Sequence, residues 1–205
     1  MSTISIIGSG NMADAIGRRA AQHGHTVELL SRDPAKAQAL AERIGPGATT
    51  APFGTRPAGD IVIVAVLYAA AADVVAQYGD ALAGKILVDI TNPFSADLSG
   101  LVTGPGNSVT DQIAAAAPAD AQVVKAFNTI FRGVLAAGTP LDAFFAGDGA
   151  EAKSRVAEFL QSLDLRPRDV GGLDMAHTLE WAGLLLVGAA RNGAGFDAAL
   201  SVESH

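Results

Sequence analysis

Small residues near the amino end of the sequence have the spacing of a turn that binds phosphate. Gly8, Gly10 and Ala13 form a G-x-G-x-x-A pattern between an apolar stretch and a helical one. In such a turn the first glycine permits a tight bend, and the second lets a pyrophosphate approach the backbone amides at the start of the helix. Because a strand pattern precedes it and a helix pattern follows it, the motif predicts a dinucleotide site. The residues expected to contact the dinucleotide here are Gly8, Ser9, Gly10, Asn11 and Met12.

The tip of the second predicted strand indicates which dinucleotide binds. An NAD site places a carboxylate there, about 20 residues after the first glycine, to bind the ribose 2′-hydroxyl. Here Ser31 and Arg32 occupy the tip, and Lys36 lies one helical turn further on. Glu28 has a similar separation from Gly8 but lies inside the strand, so we assign it a structural role. A hydroxyl, a guanidinium and an ammonium group suit a 2′-phosphate, and the sequence therefore predicts NADP.

Alternating strand and helix patterns are expected to position these residues. Predicted strands cover residues 4–7, 26–30, 60–66, 85–90, 122–127, 143–146 and 165–170, with a weaker one at 48–51. Predicted helices cover residues 11–23, 34–44, 69–78, 108–117, 150–163 and 173–191, and residues 95–107 form a loop. Continuous apolar strands such as residues 61–66 are typical of a parallel sheet covered on both faces.

This order of elements predicts an α/β fold with a doubly wound, mostly parallel sheet of the Rossmann type. We expect residues 1–147 to form the dinucleotide-binding domain. Residues 148–205 are expected to form a small, mainly helical α/β extension packed on that domain, rather than an independent domain.

Composition excludes several classes of function. The net charge of −7 argues against nucleic acid or anionic lipid as a partner. No apolar run reaches the roughly 18 residues of a membrane helix, and the strand pattern at residues 3–7 leaves no room for a secretory signal. Cysteine is absent, which excludes disulfides and thiolate chemistry. We expect a cytoplasmic protein that binds neither membrane nor nucleic acid.

The sequence offers no residues for catalysis by a side chain. It contains no Ser/His/Asp constellation and no metal-ligand spacing, and its carboxylates are scattered without the pairing that general acid–base chemistry uses. We therefore predict neither a catalytic side chain nor a metal site. Of the histidines, His177 lies on the last predicted helix, where packing or solvent contact is the expected role.

The helix predicted over residues 173–191 is apolar around most of its circumference. One small domain cannot bury every side of such a helix. Since twofold pairing is the commonest way to cover an exposed apolar face, we predict a homodimer.

Beyond these motifs, the chain resembles NADPH-dependent reductases of the deazaflavin coenzyme F420 and the related dinucleotide-binding domains of ferric reductases. The resemblance rests on residues 8–12, 31–36, 60–66, 88–93, 123–130, 166–171 and 193–196. Its most specific run is Lys-Ala-Phe-Asn-Thr at residues 125–129. The resemblance implies hydride transfer between NADPH and a small redox acceptor, either coenzyme F420 or a flavin such as FMN or FAD.

The resemblance also implies further cofactor contacts at the carboxyl ends of three strands, where open α/β sheets bind ligands. These contacts are Ala65, Val66, Leu67, Tyr68, Asn92, Pro93, Ala126, Asn128 and Thr129. Phe131 and Arg132 depart from the archaeal deazaflavin reductases, which leaves the acceptor open and does not decide whether they block or serve an acceptor pocket. Leu67 stands where the family often has proline.

Three functions remain open. The first is hydride transfer from NADPH to a deazaflavin or flavin ring, which requires stacking rather than side-chain chemistry. The second is reduction of a small imine or carbonyl compound, because residues 10–16 also resemble pyrroline-5-carboxylate reductases. Those enzymes have a larger helical C-terminal domain, whereas only residues 171–205 follow the last strand here. The third is a sensor that binds NADP without catalysis.

Overall fold

The computed structural model describes residues 2–203, and its strands form one sheet. The strands are β1 (Thr3–Ile7), β2 (Thr26–Ser31), β3 (Ala48–Pro52), β4 (Ile61–Val64), β5 (Ile86–Asp89), β6 (Gln122–Ala126), β7 (Leu141–Gly147) and β8 (Leu165–Asp169). The α-helices are α1 (Asn11–Gln22), α2 (Pro34–Ile44), α3 (Tyr68–Tyr78), α4 (Val109–Ala116), α5 (Arg132–Ala136), α6 (Ala150–Ser162) and α7 (Ala176–Ala189).

The order of strands places a crevice beside β1. The sheet runs β3-β2-β1-β4-β5-β6-β7-β8, and β1 to β6 are all parallel to one another. The chain leaves β1 toward β2 on one side and returns to β4 on the other, so the carboxyl ends of β1 and β4 form the topological switch point. This arrangement confirms the predicted doubly wound α/β fold. β7 runs antiparallel to β6, and β8 is parallel to β7.

Apolar clusters cover both faces of the sheet. In β4, Ile61 and Ile63 face the cluster under α1, α2, α5 and α6, whereas Val62 and Val64 face the cluster under α3 and α4. All four side chains are buried, as expected for a strand with helices on both sides. α7 packs on β7 and beside α4, so it covers the same face as α3 and α4.

The predicted elements are present, with two differences at the carboxyl-terminal half. The helix predicted over residues 173–191 is three segments, because a 3₁₀ turn at Leu173–Met175 precedes α7 and a wider π-type turn at Ala190–Ala194 follows it. Non-helical backbone angles at Asn192 and Gly193 end the helical course. The short helix α5 was not predicted, since five residues are too few to show a helical period.

Arg19 ties the first helix to the second half of the chain. Its guanidinium is buried and donates hydrogen bonds to the carbonyl oxygens of Leu163 (2.7 Å), Leu135 (3.0 Å), Thr139 (3.2 Å) and Asp164 (3.3 Å). These bonds let a permanently charged group remain inside the protein, because its N–H groups find acceptors there. These bonds fix the carboxyl-terminal end of α1, whose amino-terminal end follows the glycine turn.

Candidate dinucleotide site

Gly8 makes the turn between β1 and α1 possible. Its φ angle is +126°, which residues with a side chain rarely adopt, and a Cβ atom there would overlap the carbonyl oxygen of Ala65. The Gly8 amide donates a hydrogen bond to the carbonyl of Leu30 at 2.8 Å. The turn is therefore held between the carboxyl ends of β2 and β4, at the switch point of the sheet.

Gly10 leaves open space in front of the first turn of α1. Its φ angle is −86°, so the backbone does not demand glycine, and a Cβ atom there would meet no protein atom within 4 Å. Within residues 2–203 no side chain caps this end of α1. The first amides of a helix need acceptors, and a phosphate group supplies them. The open position and the uncapped amides therefore fit the pyrophosphate of a dinucleotide.

Polar side chains gather where β2 ends. The hydroxyl oxygens of Ser9 and Ser31 are 3.0 Å apart, which links the glycine turn to the β2 tip. Asp33 caps α2 by accepting a hydrogen bond from the Lys36 amide (3.0 Å), and its carboxylate lies 3.3 Å from Lys36 Nζ. The hydrogen bond from the Lys36 amide, with smaller help from its ammonium group, lowers the pKa of Asp33. The acidic side chain near the tip is thus committed to the helix cap, and Arg32 beside it is exposed.

These elements enclose a cleft of about 750 Å³, within the usual range for a cofactor site. Most of the residues predicted to contact the cofactor line it: Gly8, Ser9, Gly10, Asn11, Met12, Ser31, Arg32, Lys36, Ala65, Val66, Leu67, Tyr68 and Asn92. The cleft is also lined by Ile7, Leu30, Phe53, Ala70, Val74, Ile90 and Thr91, which sequence reasoning did not select. Within this lining there is no Asp, Glu or His.

The other residues predicted by resemblance do not line the cleft. Pro93, Ala126, Asn128 and Thr129 are all buried, and Ala126 belongs to the apolar core. Ala126 has no exposed surface, so its side chain cannot contact a ligand in this cleft and its role is packing. Phe127 is likewise buried in the core.

Asn128 instead pairs with Asn92, which does line the cleft. Asn92 Nδ2 donates to the Asn128 carbonyl oxygen at 2.8 Å, and Asn128 Nδ2 donates to Asn92 Oδ1 at 3.0 Å and to the Leu179 carbonyl at 2.8 Å. Phe127, the residue before Asn128, has a φ angle of +61°, which is an unfavourable conformation for a bulky residue. Gly183 of α7 fits against the pair, where a Cβ atom would lie 3.0 Å from Asn92 Oδ1. Asn128 thus positions a cleft residue.

A group of buried charges lies behind this end of the cleft. Lys125 Nζ donates to Asp89 Oδ2 (2.8 Å), to the Thr91 carbonyl (2.6 Å) and to Glu180 Oε1 (3.3 Å), and its side chain and both carboxylates have no exposed surface. Glu180 Oε1 also accepts from the amide of Val109 at 2.9 Å. Burial raises the pKa of Glu180, although Lys125 opposes the shift. β5, β6 and α7 thus bring Asp89 and Glu180, which are far apart in the sequence, to one ammonium group.

His177 connects this buried group to the surface. Its Nδ1 atom lies 3.4 Å from Glu180 Oε2, and its Nε2 atom is 3.1 Å from Trp181 Nε1. The indole N–H can only donate, so Nε2 accepts and the proton of the neutral ring is on Nδ1, facing Glu180. His177 does not line the cleft, in agreement with the packing role expected from the sequence.

Comparison with known proteins finds a family that is similar to the amino-terminal part of the chain. Residues 3–93, which contain the glycine turn, the β2 tip and the end of β5, match the family described as NADP oxidoreductase coenzyme F420-dependent. These residues, which make up less than half of the chain, are similar to that family. The resemblance inferred from the motifs is confirmed.

Curated relatives extend the similarity to most of the chain. Metalloreductase STEAP3 of Rattus norvegicus is 32% identical over 86% of this chain and 35% of its own length. Glycerol-3-phosphate dehydrogenase [NAD(P)+] of Azorhizobium caulinodans is 31% identical over 98% of this chain and 64% of its own length. The chain thus spans less than two thirds of the length of either relative.

Solved structures show the same fold. A protein of Arthrobacter sp. FB24 described as an F420-dependent NADP reductase superposes with a TM-score of 0.87, at 25% identity and with 100% of both chains covered. An imine reductase of Streptomyces aurantiacus shares only the fold, with a TM-score of 0.65 and 18% identity over 93% of this chain and 63% of that one. These findings agree with the prediction of an NADP-dependent oxidoreductase. Within residues 2–203, no helix is long and apolar enough to span a membrane.

Proposed function

We propose that this protein is an NADP-dependent oxidoreductase that transfers hydride between NADPH and a deazaflavin or flavin-type acceptor. The observation that carries the proposal is a cleft that joins a phosphate-binding turn to a cationic β2 tip and contains no Asp, Glu or His among its described lining residues. Such a cleft binds and orients a dinucleotide but supplies no carboxylate or imidazole at its lining.

The chain's own residues account for the binding of NADP. The uncapped amides of α1 and the open space at Gly10 receive the pyrophosphate. Ser31, Arg32 and Lys36 receive the 2′-phosphate, since they provide a hydroxyl and two cations at the position where an NAD site carries a carboxylate. Asp33 does not take that carboxylate's place, because it caps α2 and pairs with Lys36.

At the other end of the cleft, Thr91 and Asn92 mark where the nicotinamide would lie. The hydroxyl oxygen of Thr91 is buried and has no hydrogen-bond partner within residues 2–203, so it is free to meet a polar group of the ring. NADPH, when bound, would supply the hydride. Asn128 and Lys125 hold Asn92 and the Thr91 carbonyl, respectively, and so keep this end of the cleft in one arrangement.

The absence of Asp, Glu and His from the described cleft lining favours a redox ring as acceptor. Reduction of a carbonyl or imine compound leaves a developing charge on oxygen or nitrogen, which a positioned proton donor usually neutralises. A flavin-type ring spreads the negative charge over its conjugated system and takes a proton from water. The name of the family and the description of the Arthrobacter protein point in the same direction.

Calorimetric titration with NADPH and NADH tests the cofactor assignment. Arg32→Ala should weaken NADPH binding by roughly ten- to a hundredfold, because it removes a charged hydrogen bond of about 1.5–3 kcal/mol, and should leave NADH nearly unchanged. Arg43→Ala is the matched control, since Arg43 lies at the opposite end of α2 and is also exposed. Equal affinity of the unsubstituted protein for both nucleotides would refute the assignment.

We also propose that α7 forms a homodimer interface and that the protein acts in the cytoplasm. Trp181 and Leu185 lie four residues apart on α7 with 48% and 68% of their surface exposed, and Ala189 continues this apolar stripe. A second copy of the helix could cover the stripe across a twofold axis. The cytoplasmic location stays a prediction from the sequence.

A further inference from the structure

Arg32 is held from two sides by residues that the dinucleotide motif does not include. Its guanidinium carbon lies 5.0 Å from the centre of the Phe53 ring, and its Nη2 donates a hydrogen bond to Gln77 Oε1 at 2.9 Å. Phe53 follows β3 and Gln77 lies near the end of α3, so three separate elements meet at Arg32. The Phe53 ring is itself fixed against the buried ring of Tyr78, at 4.9 Å between centroids and 74° between planes.

This arrangement fixes the guanidinium without occupying it. Arginine has five N–H donors, and within residues 2–203 the hydrogen bond to Gln77 uses one of them. The contact with the Phe53 ring is a cation–π contact rather than a hydrogen bond, so it does not use an N–H donor of the guanidinium. A long exposed side chain normally loses considerable rotamer freedom when it binds a ligand, and a side chain that is already fixed loses less.

We propose that Gln77 and Phe53 determine the preference for NADPH over NADH by holding Arg32 ready for the 2′-phosphate. The inference rests on the proposed function, and it adds two residues that make no assigned contact with the nucleotide. Their effect should be confined to the nucleotide that carries the 2′-phosphate, because NADH has no group for Arg32 to bind.

The measured quantity is the ratio of the NADH to the NADPH dissociation constant, obtained by calorimetry for each variant. Gln77→Ala should weaken NADPH binding about three- to tenfold and leave NADH within twofold. Gln38→Ala is the matched control, because Gln38 is an exposed amide on α2 whose Nε2 donates to Glu42 Oε1 at 3.1 Å. It should leave the ratio unchanged.

Phe53 requires a pair of variants, since its ring also lines the cleft. Phe53→Leu should lower the ratio, whereas Phe53→Tyr should keep it, because tyrosine preserves the aromatic face under Arg32. If Phe53→Leu weakened NADPH and NADH by the same factor, the ring would act only as a wall for the part that both nucleotides share. The inference would then be wrong for Phe53.

A double-mutant cycle separates positioning of Arg32 from any other role of Gln77. In the Arg32→Ala background, Gln77→Ala should have no further effect on NADPH binding. An equal loss with and without Arg32 would overturn the inference, as would an unchanged ratio in Gln77→Ala and Phe53→Leu while the unsubstituted protein still prefers NADPH. If the unsubstituted protein bound both nucleotides equally, the proposed cofactor would fail and this inference with it.

Discussion

Replacing Lys125 with methionine removes the cation from the buried charges behind the cleft. Methionine has a similar length, so the change leaves little empty space and mainly removes charge. It leaves the carboxylates of Asp89 and Glu180 inside the protein, each with no exposed surface, without the ammonium group that lies 2.8 Å and 3.3 Å from them. The Thr91 carbonyl also loses its donor at 2.6 Å.

Burial of the two carboxylates, rather than the number of lost contacts, determines the expected loss of unfolding free energy. Removing one partner of a buried ion pair typically costs about 3–5 kcal/mol of unfolding free energy, because the remaining charge has no compensation. Glu180→Gln should cost only about 1 kcal/mol or less, since the pair of Lys125 and Asp89 stays balanced and the amide oxygen still accepts from Val109. In the double variant Lys125→Met with Glu180→Gln, part of the loss should be restored.

Urea unfolding at neutral pH, followed by far-UV circular dichroism, measures these costs. Lys85→Met is the matched control, because Lys85 is also nearly buried but lies 3.5 Å from Asp60, a carboxylate that is 62% exposed. Loss of that pair should cost less than about 1 kcal/mol. Equal costs for Lys125→Met and Lys85→Met would refute the reasoning that burial of both partners decides the energy.

The unfolding free energy should also depend on pH, because Glu180 is buried. Burial raises the pKa of Glu180 above its ordinary value of 4.5, so the folded state favours the protonated form. The contribution of Glu180 to stability is therefore most favourable below pH 4.5 and is lost as the pH rises through the raised pKa. As the pH rises from 4.5 through the raised pKa, the unfolding free energy of the unsubstituted protein should fall relative to that of Glu180→Gln. A difference in unfolding free energy that stays constant with pH would contradict the raised pKa of Glu180.

Three further predictions concern other parts of the chain. Burial alone would raise the pKa of Asp142, but the hydrogen bond from the Val202 amide and two arginines of β8 lower it to about 2. Asp142→Asn should therefore lower the unfolding free energy measured in urea by about 2 kcal/mol above pH 3.8, and this loss should vanish toward pH 2. Arg19→Met should lower the unfolding free energy by about 2–4 kcal/mol in the same assay, because buried carbonyls lose their donor; a cost below 1 kcal/mol would contradict the role given to Arg19. Leu185→Glu should shift the mass measured by light scattering to that of the 20.7 kDa monomer, and an unsubstituted protein that already has this mass would refute the dimer.

The sequence predicts the parts of the site that depend on local pattern. The turn at residues 8–12 and the β2 tip were identified because the backbone requirements of phosphate binding restrict residue types over a short stretch. The strands were identified because burial on both faces makes them continuously apolar, as in β4. These features carry the signal in adjacent residues, and the structure places the residues of the turn and of the β2 tip at the cleft.

Features that depend on pairing across the chain could not be predicted. Asp89, Lys125 and Glu180 are 36 and 55 residues apart along the sequence, and only the order of strands and the packing of α7 bring them together. The Lys-Ala-Phe-Asn-Thr run was noticed, but its lysine and asparagine act on neighbouring strands rather than in the cleft. Phe53 and Gln77 were missed for the same reason, because no local pattern links them to Arg32. A charged residue inside an apolar strand, such as Lys125, was the available signal that a buried partner must exist.

Single-turnover hydride transfer tests the central claim most directly. The protein is loaded with NADPH and mixed rapidly, without oxygen, with coenzyme F420, FMN or FAD in turn, while the absorbance of the nicotinamide and of the acceptor is recorded. At least one of these rings should be reduced with the same rate constant at which NADPH is oxidised. Failure of all three rings, with turnover of a small imine or carbonyl compound instead, would contradict the proposed acceptor, and tight NADPH binding without any turnover would identify a sensor rather than an enzyme.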